Sequence, residues 1–342
     1  MSEQQKQNSL DQSSLDTTGN RRWFLRSSLS LAVAASVLGT TAASWSAGAR
    51  AQTTQAKEFR VGWQKGSNLA ILRARGNLDA RLKAAGVETR WIEFTAGPQM
   101  LEGLNVGSID FAAVGETPPV FAQAARADLV YVGHEPPAPK AEKILVPQNS
   151  PIRSAKDLKG KRIALNRGSN VHYLLVRLLE DEGLQYSDVR VVFLPPAEAR
   201  AAFENGSIDA WVIWDPFAAA AVDQTKARIL VDGTGVVHNY NFYLSTRPFA
   251  TRHPEVVQWA LEELKSTDAW VLKNFDQAAR ILAPQIALSE AVTETALRNY
   301  AYGVQWPLSA EVIANQQAIA DTFADLKLIP RRLDVASVIW KP

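Results

Sequence analysis

Val61-Gly62-Trp63-Gln64-Lys65-Gly66-Ser67-Asn68 returns, about a hundred positions later, as Ala164-Leu165-Asn166-Arg167-Gly168-Ser169-Asn170. Each copy reads as a strand, an amide side chain, a base, Gly-Ser-Asn and then a helix. Leu69, Ile71 and Leu72 continue the first copy; His172, Leu174, Leu175 and Leu178 continue the second. A further pair keeps nearly the same offset. Gly107-Ser108-Ile109-Asp110 runs into Phe111-Ala112-Ala113-Val114 and stops at Gly115-Glu116-Thr117-Pro118. Gly206-Ser207-Ile208-Asp209 runs into Ala210-Trp211-Val212-Ile213 and stops at Trp214-Asp215-Pro216. In each, an acidic residue and a proline end a buried strand and open a helix, because proline suits the first helical turn. Two motifs repeated in register signal a duplicated architecture.

The duplication predicts an α/β fold of two lobes around a central ligand cleft. Apolar runs such as Lys143-Ile144-Leu145-Val146 and Val189-Arg190-Val191-Val192-Phe193 suit sheets covered on both faces. Helices are expected over 98–106, 171–182 and 197–205. Ligands of open α/β sheets bind beyond the carboxyl ends of strands, where all four repeated loops fall. The breaker Pro147-Gln148-Asn149-Ser150-Pro151 suggests a first hinge, and Val237-His238-Asn239-Tyr240-Asn241 a return crossing. The expected division is therefore a leader over 1–51, the first part of lobe 1 over 52–147, and lobe 2 over 148–240. The return strand and C-terminal helices, over 241–342, are expected to pack on lobe 1. Val256, Val257, Ala260, Leu261 and Leu264 form one apolar stripe there, and Ser309 reads as a helix N-cap.

Composition narrows the function. The chain has 342 residues, 46% of them apolar, with 37 Lys plus Arg against 35 Asp plus Glu. Residues 1–51 hold five of those bases and three of the acids, which leaves 32 of each in the remainder. A neutral body gives no footprint for a nucleic-acid partner. There is no cysteine, which excludes disulfides, thiolate metal sites, cysteine nucleophiles and a lipoprotein anchor. Within the leader, Arg21-Arg22-Trp23-Phe24-Leu25-Arg26 precedes an apolar run from Leu29 to Gly39, and Ala49-Arg50-Ala51 resembles a cleavage site. That run is about half of the ~20 residues a membrane span needs. The paired arginines suggest the twin-arginine export machinery, with an ordinary Sec signal carrying two arginines as the alternative, and either route ends outside the cytoplasm.

A Gly-Ser-Asn turn that opens a helix presents unpaired N–H groups and a partial positive charge, which suits an anion. Gly66, Ser67, Gly168, Ser169 and Asn170 are therefore ligand candidates, with Ser and Asn as simple helix caps the alternative reading. Two copies in equivalent places favour the anion. Gly115, Glu116, Thr117 and Gln99 lie at neighbouring helix starts, with Gln64 in the first turn. Glu116 and Asp215 have three possible roles: capping helices, accepting from a polar ligand group, or holding a Lys or Arg. Trp214 and Trp63 are candidates either for core or for covering an aliphatic tail. His172, one turn into its helix, is kept among the ligand candidates but reads as a packed or capped side chain rather than a catalyst. The four histidines show no metal-ligand spacing, and no G-x-S-x-G, phosphate-binding Gly-rich loop or H-E-x-x-H occurs. No cofactor and no catalytic residue is implied.

Val61-Gly62-Trp63-Gln64-Lys65-Gly66, Ala96-Gly97-Pro98-Gln99-Met100-Leu101 and Asn105-Val106-Gly107-Ser108-Ile109-Asp110 resemble the aliphatic sulfonate-binding proteins of bacterial sulfonate ABC importers. So do Tyr131-Val132-Gly133, Glu135-Pro136-Pro137, Asp157-Leu158-Lys159-Gly160 and Ile213-Trp214-Asp215-Pro216. The resemblance runs from Phe59 to Trp340. It implies a type II periplasmic-binding-protein fold that closes like a hinge on an alkanesulfonate, with a permease and an ATPase as partners. It carries Gln64, Gln99, Thr117, Gly168, Ser169, Asn170 and Trp214 into the cleft. Glu116 stands where relatives often have Asp, and Trp63 where they often have Tyr. Taurine, nitrate and pyrimidine-precursor receptors share the fold, and a zwitterion such as taurine would want a carboxylate from Glu116 or Asp215. Enzymes of the fold look to depend on cysteine or histidine, and the cysteine route is closed here.

Overall fold

Parallel strands need covered crossovers, and the sequence supplies them twice. The computed structural model describes residues 56–341; the leader, with its paired arginines and cleavage motif, lies outside the described residues. The first half contributes β1 (Glu58–Trp63), α1 (Asn68–Arg75), α2 (Asn77–Ala84), β2 (Glu88–Glu93), α3 (Gly97–Asn105), β3 (Phe111–Gly115), α4 (Pro118–Ala124) and β4 (Leu129–His134). The second contributes β5 (Glu142–Val146), β6 (Arg162–Leu165), α5 (Asn170–Asp181), β7 (Arg190–Phe193), α6 (Pro196–Glu204), β8 (Ala210–Trp214), α7 (Phe217–Thr225) and β9 (Arg228–Asp232). After β10 (Asn241–Thr246) the chain is helical: α8 (Arg247–Arg252), α9 (Pro254–Val271), α10 (Phe275–Ile286), α11 (Glu290–Asn299) and α12 (Ala310–Asp325).

Two five-stranded sheets result, ordered β2-β1-β3-β10-β4 and β7-β6-β8-β5-β9. They share one plan. β1 lies parallel between β2 and β3 as β6 lies between β7 and β8. β10 runs antiparallel between β3 and β4, and β5 does so between β8 and β9. Each sheet thus takes its antiparallel strand from beyond its own run of parallel strands. The expectation that residues up to 147 belong to lobe 1 is corrected here. β5 pairs in the second sheet, so the first crossing lies at 135–141 and not at Pro147–Pro151. An apolar run looks the same whichever sheet recruits it. The return crossing, at 233–240, ends where β10 begins.

The Gly-Ser-Ile-Asp repeat is a clasp at the far end of these strands. Asp110 accepts from the backbone N (3.0 Å), Nε (2.9 Å) and Nη2 (2.7 Å) of Arg60 on β1, and Arg60 Nη1 donates to Gly107 O at 2.6 Å. Asp209 takes the same three groups of Arg162 on β6, at 2.8, 3.2 and 2.9 Å, and Arg162 Nη2 donates to Gly206 O at 3.0 Å. A bidentate Arg–carboxylate pair fixes direction as well as distance. It ties the start of each first strand to the loop before its neighbour, setting the register in which the opposite ends open into the cleft.

The first sheet is covered on both faces. Phe59, Phe111 and Tyr243 pack with α1 and α9 on one side; Met100, Tyr131, Phe242 and Phe323 pack with α3 and α12 on the other. The second sheet has one core, around Trp211, Leu174 and Phe203. Among the described residues no helix is long and apolar enough to cross a membrane.

Candidate functional site

The two Gly-Ser-Asn turns are built alike. Gly66 and Gly168 take φ +84° and +71°, a region that favours glycine. Ser67 and Ser169 follow as N-caps, at φ −87° and −86°. Each serine hydroxyl donates backwards, Ser67 Oγ to Gln64 O at 2.9 Å and Ser169 Oγ to Asn166 O at 2.7 Å. Neither therefore caps its helix. Thr117, N-cap of α4, does not cap either, whereas Thr246, Ser289 and Ser309 each accept from an amide of the helix they begin.

The consequence is a set of unmatched donors. The backbone N–H groups of Asn68 and Leu69 on α1, and of Asn170 and Val171 on α5, have no acceptor among the described residues. Leu69 and Val171 are fully buried and Asn68 is nearly so. Asn170 is half-buried. Buried N–H groups without partners are rare and costly, so three of them and a half-buried fourth, paired at two helix starts, suit negative charge.

The asparagine side chains point elsewhere, which corrects the expectation that Asn170 adds a donor to the ligand. Asn170 Nδ2 donates to Glu142 Oε2 (2.6 Å) and Asn239 Oδ1 (3.0 Å). Asn68 Nδ2 likewise donates to Asp268 Oδ1 at 3.2 Å. Each turn is anchored by its asparagine to a buried carboxylate behind it, leaving main-chain amides as its unmatched donors.

Between the turns lies a cavity of about 50 Å³. Of the candidates, Gln64, Ser67, Gly115, Ser169, Asn170 and Trp214 line it. Lys65, Asn68, Gly97 and Pro118 complete the walls given by the two α/β halves, and Ala138, Asn239, Asn241 and Tyr300 close the side of the crossings. Lys65 and Asn68 stood inside the recognised repeat; Asn239 and Asn241 stood in the predicted return crossing. Tyr300 carries no motif and comes from the C-terminal helices. The lining contains a lysine and no carboxylate.

The lobes meet through glycines. A Cβ on Gly66 would lie 2.4 Å from Pro216 Cδ, and one on Gly115 would lie 2.9 Å from Asn170 Cβ. On Gly168 it would meet the Phe121 ring at 3.2 Å. Each pair joins one sheet's half to the other, so the conformation is closed.

Several candidates stand behind the cavity wall. Asp215 is fully buried; it binds Lys143 Nζ at 2.6 Å, Asn299 Nδ2 at 2.8 Å and the Ala219 amide at 2.9 Å, while its carbonyl accepts from Tyr300 Oη. It both caps α7 and holds a lysine. Burial raises its pKa, and the Lys143 charge opposes that rise. Glu116 is 1% exposed and accepts from the Tyr240 amide at 2.9 Å, while its other oxygen has no partner. Burial lifts its pKa to about 7 against those backbone hydrogen bonds. Glu142, from the other lobe, is raised well above the carboxylate range by burial and then by the charge of Glu116.

His172 is a positioning residue. Its Nδ1 accepts from the Gly168 amide at 3.3 Å and its Nε2 meets Tyr186 Oη at 2.8 Å. Burial, then the Arg167 charge, lower its pKa to about 4, so the ring is neutral and braces the turn from behind. Thr117 is fully buried with an unpartnered hydroxyl. Trp63 is 4% exposed in the first core, with the Arg73 guanidinium 4.6 Å from its ring centroid, and covers no cleft. Gln99 and Gly168 line a second, larger depression beside the cavity. Among the described residues no group of three or more His, Cys, Asp or Glu is placed to hold a metal ion.

Two lobes of one plan, hinged by two crossings and meeting over paired Gly-Ser-Asn turns, define a solute receptor of the type II periplasmic-binding-protein fold. A family described as NMT1/THI5 like matches residues 82–278. The structure of the alkanesulfonate-binding protein SsuA from Xanthomonas axonopodis pv. citri bound to MOPS is 43% identical, with a TM-score of 0.81, covering 84% of this chain and 99% of that one. The periplasmic aliphatic sulphonate binding protein SsuA from Escherichia coli is 42% identical, with a TM-score of 0.77, covering 84% and 93%. A provisionally named aliphatic sulfonates-binding protein of Escherichia coli (strain K12) is 44% identical over 285 residues, 83% of this chain and 89% of the relative. The chain belongs to the NMT1/THI5-like family and, within it, to the aliphatic sulfonate-binding proteins.

Proposed function

We propose that this protein is the solute-binding component of an ABC importer, capturing alkanesulfonates in the periplasm and delivering them to a permease driven by ATPase subunits. The observation that carries the reading is the set of unpartnered amides at the starts of α1 and α5: Asn68 and Asn170 line one small cavity, and Leu69 and Val171 follow them in each helix. A sulfonate has three oxygens to accept them, and the partial positive charge of two helix N-termini favours its anionic form. Gln64, whose Nε2 donates to Ala113 O at 3.3 Å, and Lys65, 3.7 Å from Glu93, lie on one wall, and Trp214 gives an apolar surface on the other.

Taurine is the weaker candidate. Its ammonium wants a carboxylate, yet Asp215 is committed to Lys143, Glu116 lies behind the wall, and no acidic side chain lines the cavity. The binding-protein relatives, and a cavity equipped with donors rather than an acid–base pair, support a receptor rather than an enzyme. Export by the twin-arginine machinery is part of the proposal and rests on Arg21-Arg22 and the apolar run after them.

Thermal unfolding of the protein lacking its leader, with ethanesulfonate, taurine, nitrate and sulfate in turn, tests the reading. Ligand at a hundred times its Kd stabilises by about 2.7 kcal/mol. Ethanesulfonate is expected to raise Tm, and taurine to do so only at much higher concentration. An unchanged Tm with every anion would overturn the assignment.

A further inference from the structure

The cavity between the turns, about 50 Å³, has room for an anionic head and little else, since one ordered water needs about 10–15 Å³ of such space. Any substituent longer than a methylene or two must leave it. A groove of about 470 Å³ lies next to it. The two spaces share walls at three helix starts. Pro118 lines both; Gly97 faces the cavity while Pro98 and Gln99 face the groove; Ser169 faces the cavity while Gly168 faces the groove.

Both lobes build this groove. Leu101 of α3, Phe121 and Ala122 of α4 and Ala125 just after it give one wall; Phe193, which ends β7, and Leu194 after it give the other. Phe193 is 42% exposed, a large apolar side chain with no core to fill, at the end of an edge strand. A mostly apolar groove that continues from a polar, donor-lined cavity matches the two ends of an amphiphilic anion. The alternative cover for a tail, Trp214, lies at the head cavity and not in this groove.

We propose that this groove is the tail subsite and sets chain-length preference: an unbranched alkyl chain leaves the head cavity past Pro118 and lies between α4 and Phe193. The inference rests on the alkanesulfonate reading and adds the route and the residues that select among such ligands. Because its walls come from opposite lobes, the groove is complete only when they close, so a longer chain also favours the closed state.

Calorimetric titration with methane-, butane- and octanesulfonate tests it. In the unmodified protein, affinity should rise with chain length by up to about fourfold per buried methylene. Ala122→Trp fills the groove from α4 and Phe193→Ala removes the opposite wall from a half-exposed position. Each should lower the octane-to-methane affinity ratio, at least tenfold for Ala122→Trp and several-fold for Phe193→Ala. A ratio unchanged in both variants would overturn the tail route, and so would an equal loss for short and long ligands. If no sulfonate binds the unmodified protein, the receptor reading itself fails, a result distinct from a groove that does not matter.

Discussion

Replacing Gly66 by alanine separates closure of the lobes from stability of the fold, because Gly206 offers a matched control. The two glycines have nearly the same backbone, φ +84° and +75°. A Cβ at Gly206 meets nothing within 4 Å, whereas one at Gly66 lies 2.4 Å from Pro216 Cδ and 3.2 Å from Asp215 O in the opposing lobe. Alanine in the left-handed region costs about 1–2 kcal/mol at either site, whether the lobes are open or closed. Only at Gly66 must the closed form also open by about an ångström to restore ordinary contact. Overpacking of that kind costs about 1–3 kcal/mol. If ligand binds the closed form, this second cost appears in affinity, as a Kd raised about 5- to 150-fold. Thermal unfolding without ligand should show similar losses in Gly66→Ala and Gly206→Ala, while titration with an alkanesulfonate should show weakened binding in Gly66→Ala alone. Equal affinity in the two variants would refute the Gly66–Pro216 contact as part of the bound state.

Other sites give independent expectations. Glu116 has a folded-state pKa of about 7, above the ordinary 4.5, so its contribution to stability is fully present below about pH 4.5 and is lost as pH rises through 7. Denaturant unfolding should show Glu116→Gln gaining on the unmodified protein between pH 5 and 8, by up to about 3 kcal/mol; parallel curves would contradict this. His172 works in the opposite direction, since its depressed pKa stabilises the fold above about pH 6.5 and that contribution is lost as pH falls through 4. His172→Leu should therefore flatten stability over that acidic window. Lys143→Met leaves Asp215 buried without its cation and should cost about 3–5 kcal/mol by urea unfolding, where a loss under 1 kcal/mol would deny the pair its role. Ser309→Ala should lower stability by about 1 kcal/mol through its lost cap with no change in affinity, and a shifted Kd would contradict that separation.

Features with a local signature were readable from the sequence. Gly66 and Gly168 adopt the backbone that a Gly-Ser-Asn helix start demands, and α5 and α6 begin and end within one residue of the positions their patterns predict. What the sequence hides is partnership across distance. The strand pattern of β5 is the same in either sheet, and only pairing with β8 and β9 assigns it. Asp110 and Asp209 read as strand starts, but their role as clasps depends on arginines 50 and 47 positions away. Asp215 could be read as a cap, a ligand contact or the partner of a base because it ends a repeated strand; Lys143, 72 positions upstream, and the Ala219 amide decide between them. Glu116 was drawn off in the same way, by the Tyr240 amide 124 positions on. Ser67 and Ser169 line the cavity, but not as donors aimed into it. Their hydroxyls turn back on the loop and leave the helix amides open, a direction that no spacing reveals.

The most direct test of the account is a crystal structure with 2-bromoethanesulfonate, whose bromine locates the chain end by anomalous scattering. The account predicts the sulfonate oxygens within hydrogen-bond distance of the amides of Asn68, Leu69, Asn170 and Val171, with the bromine directed past Pro118. A sulfonate bound anywhere that leaves those four amides without an acceptor would contradict it.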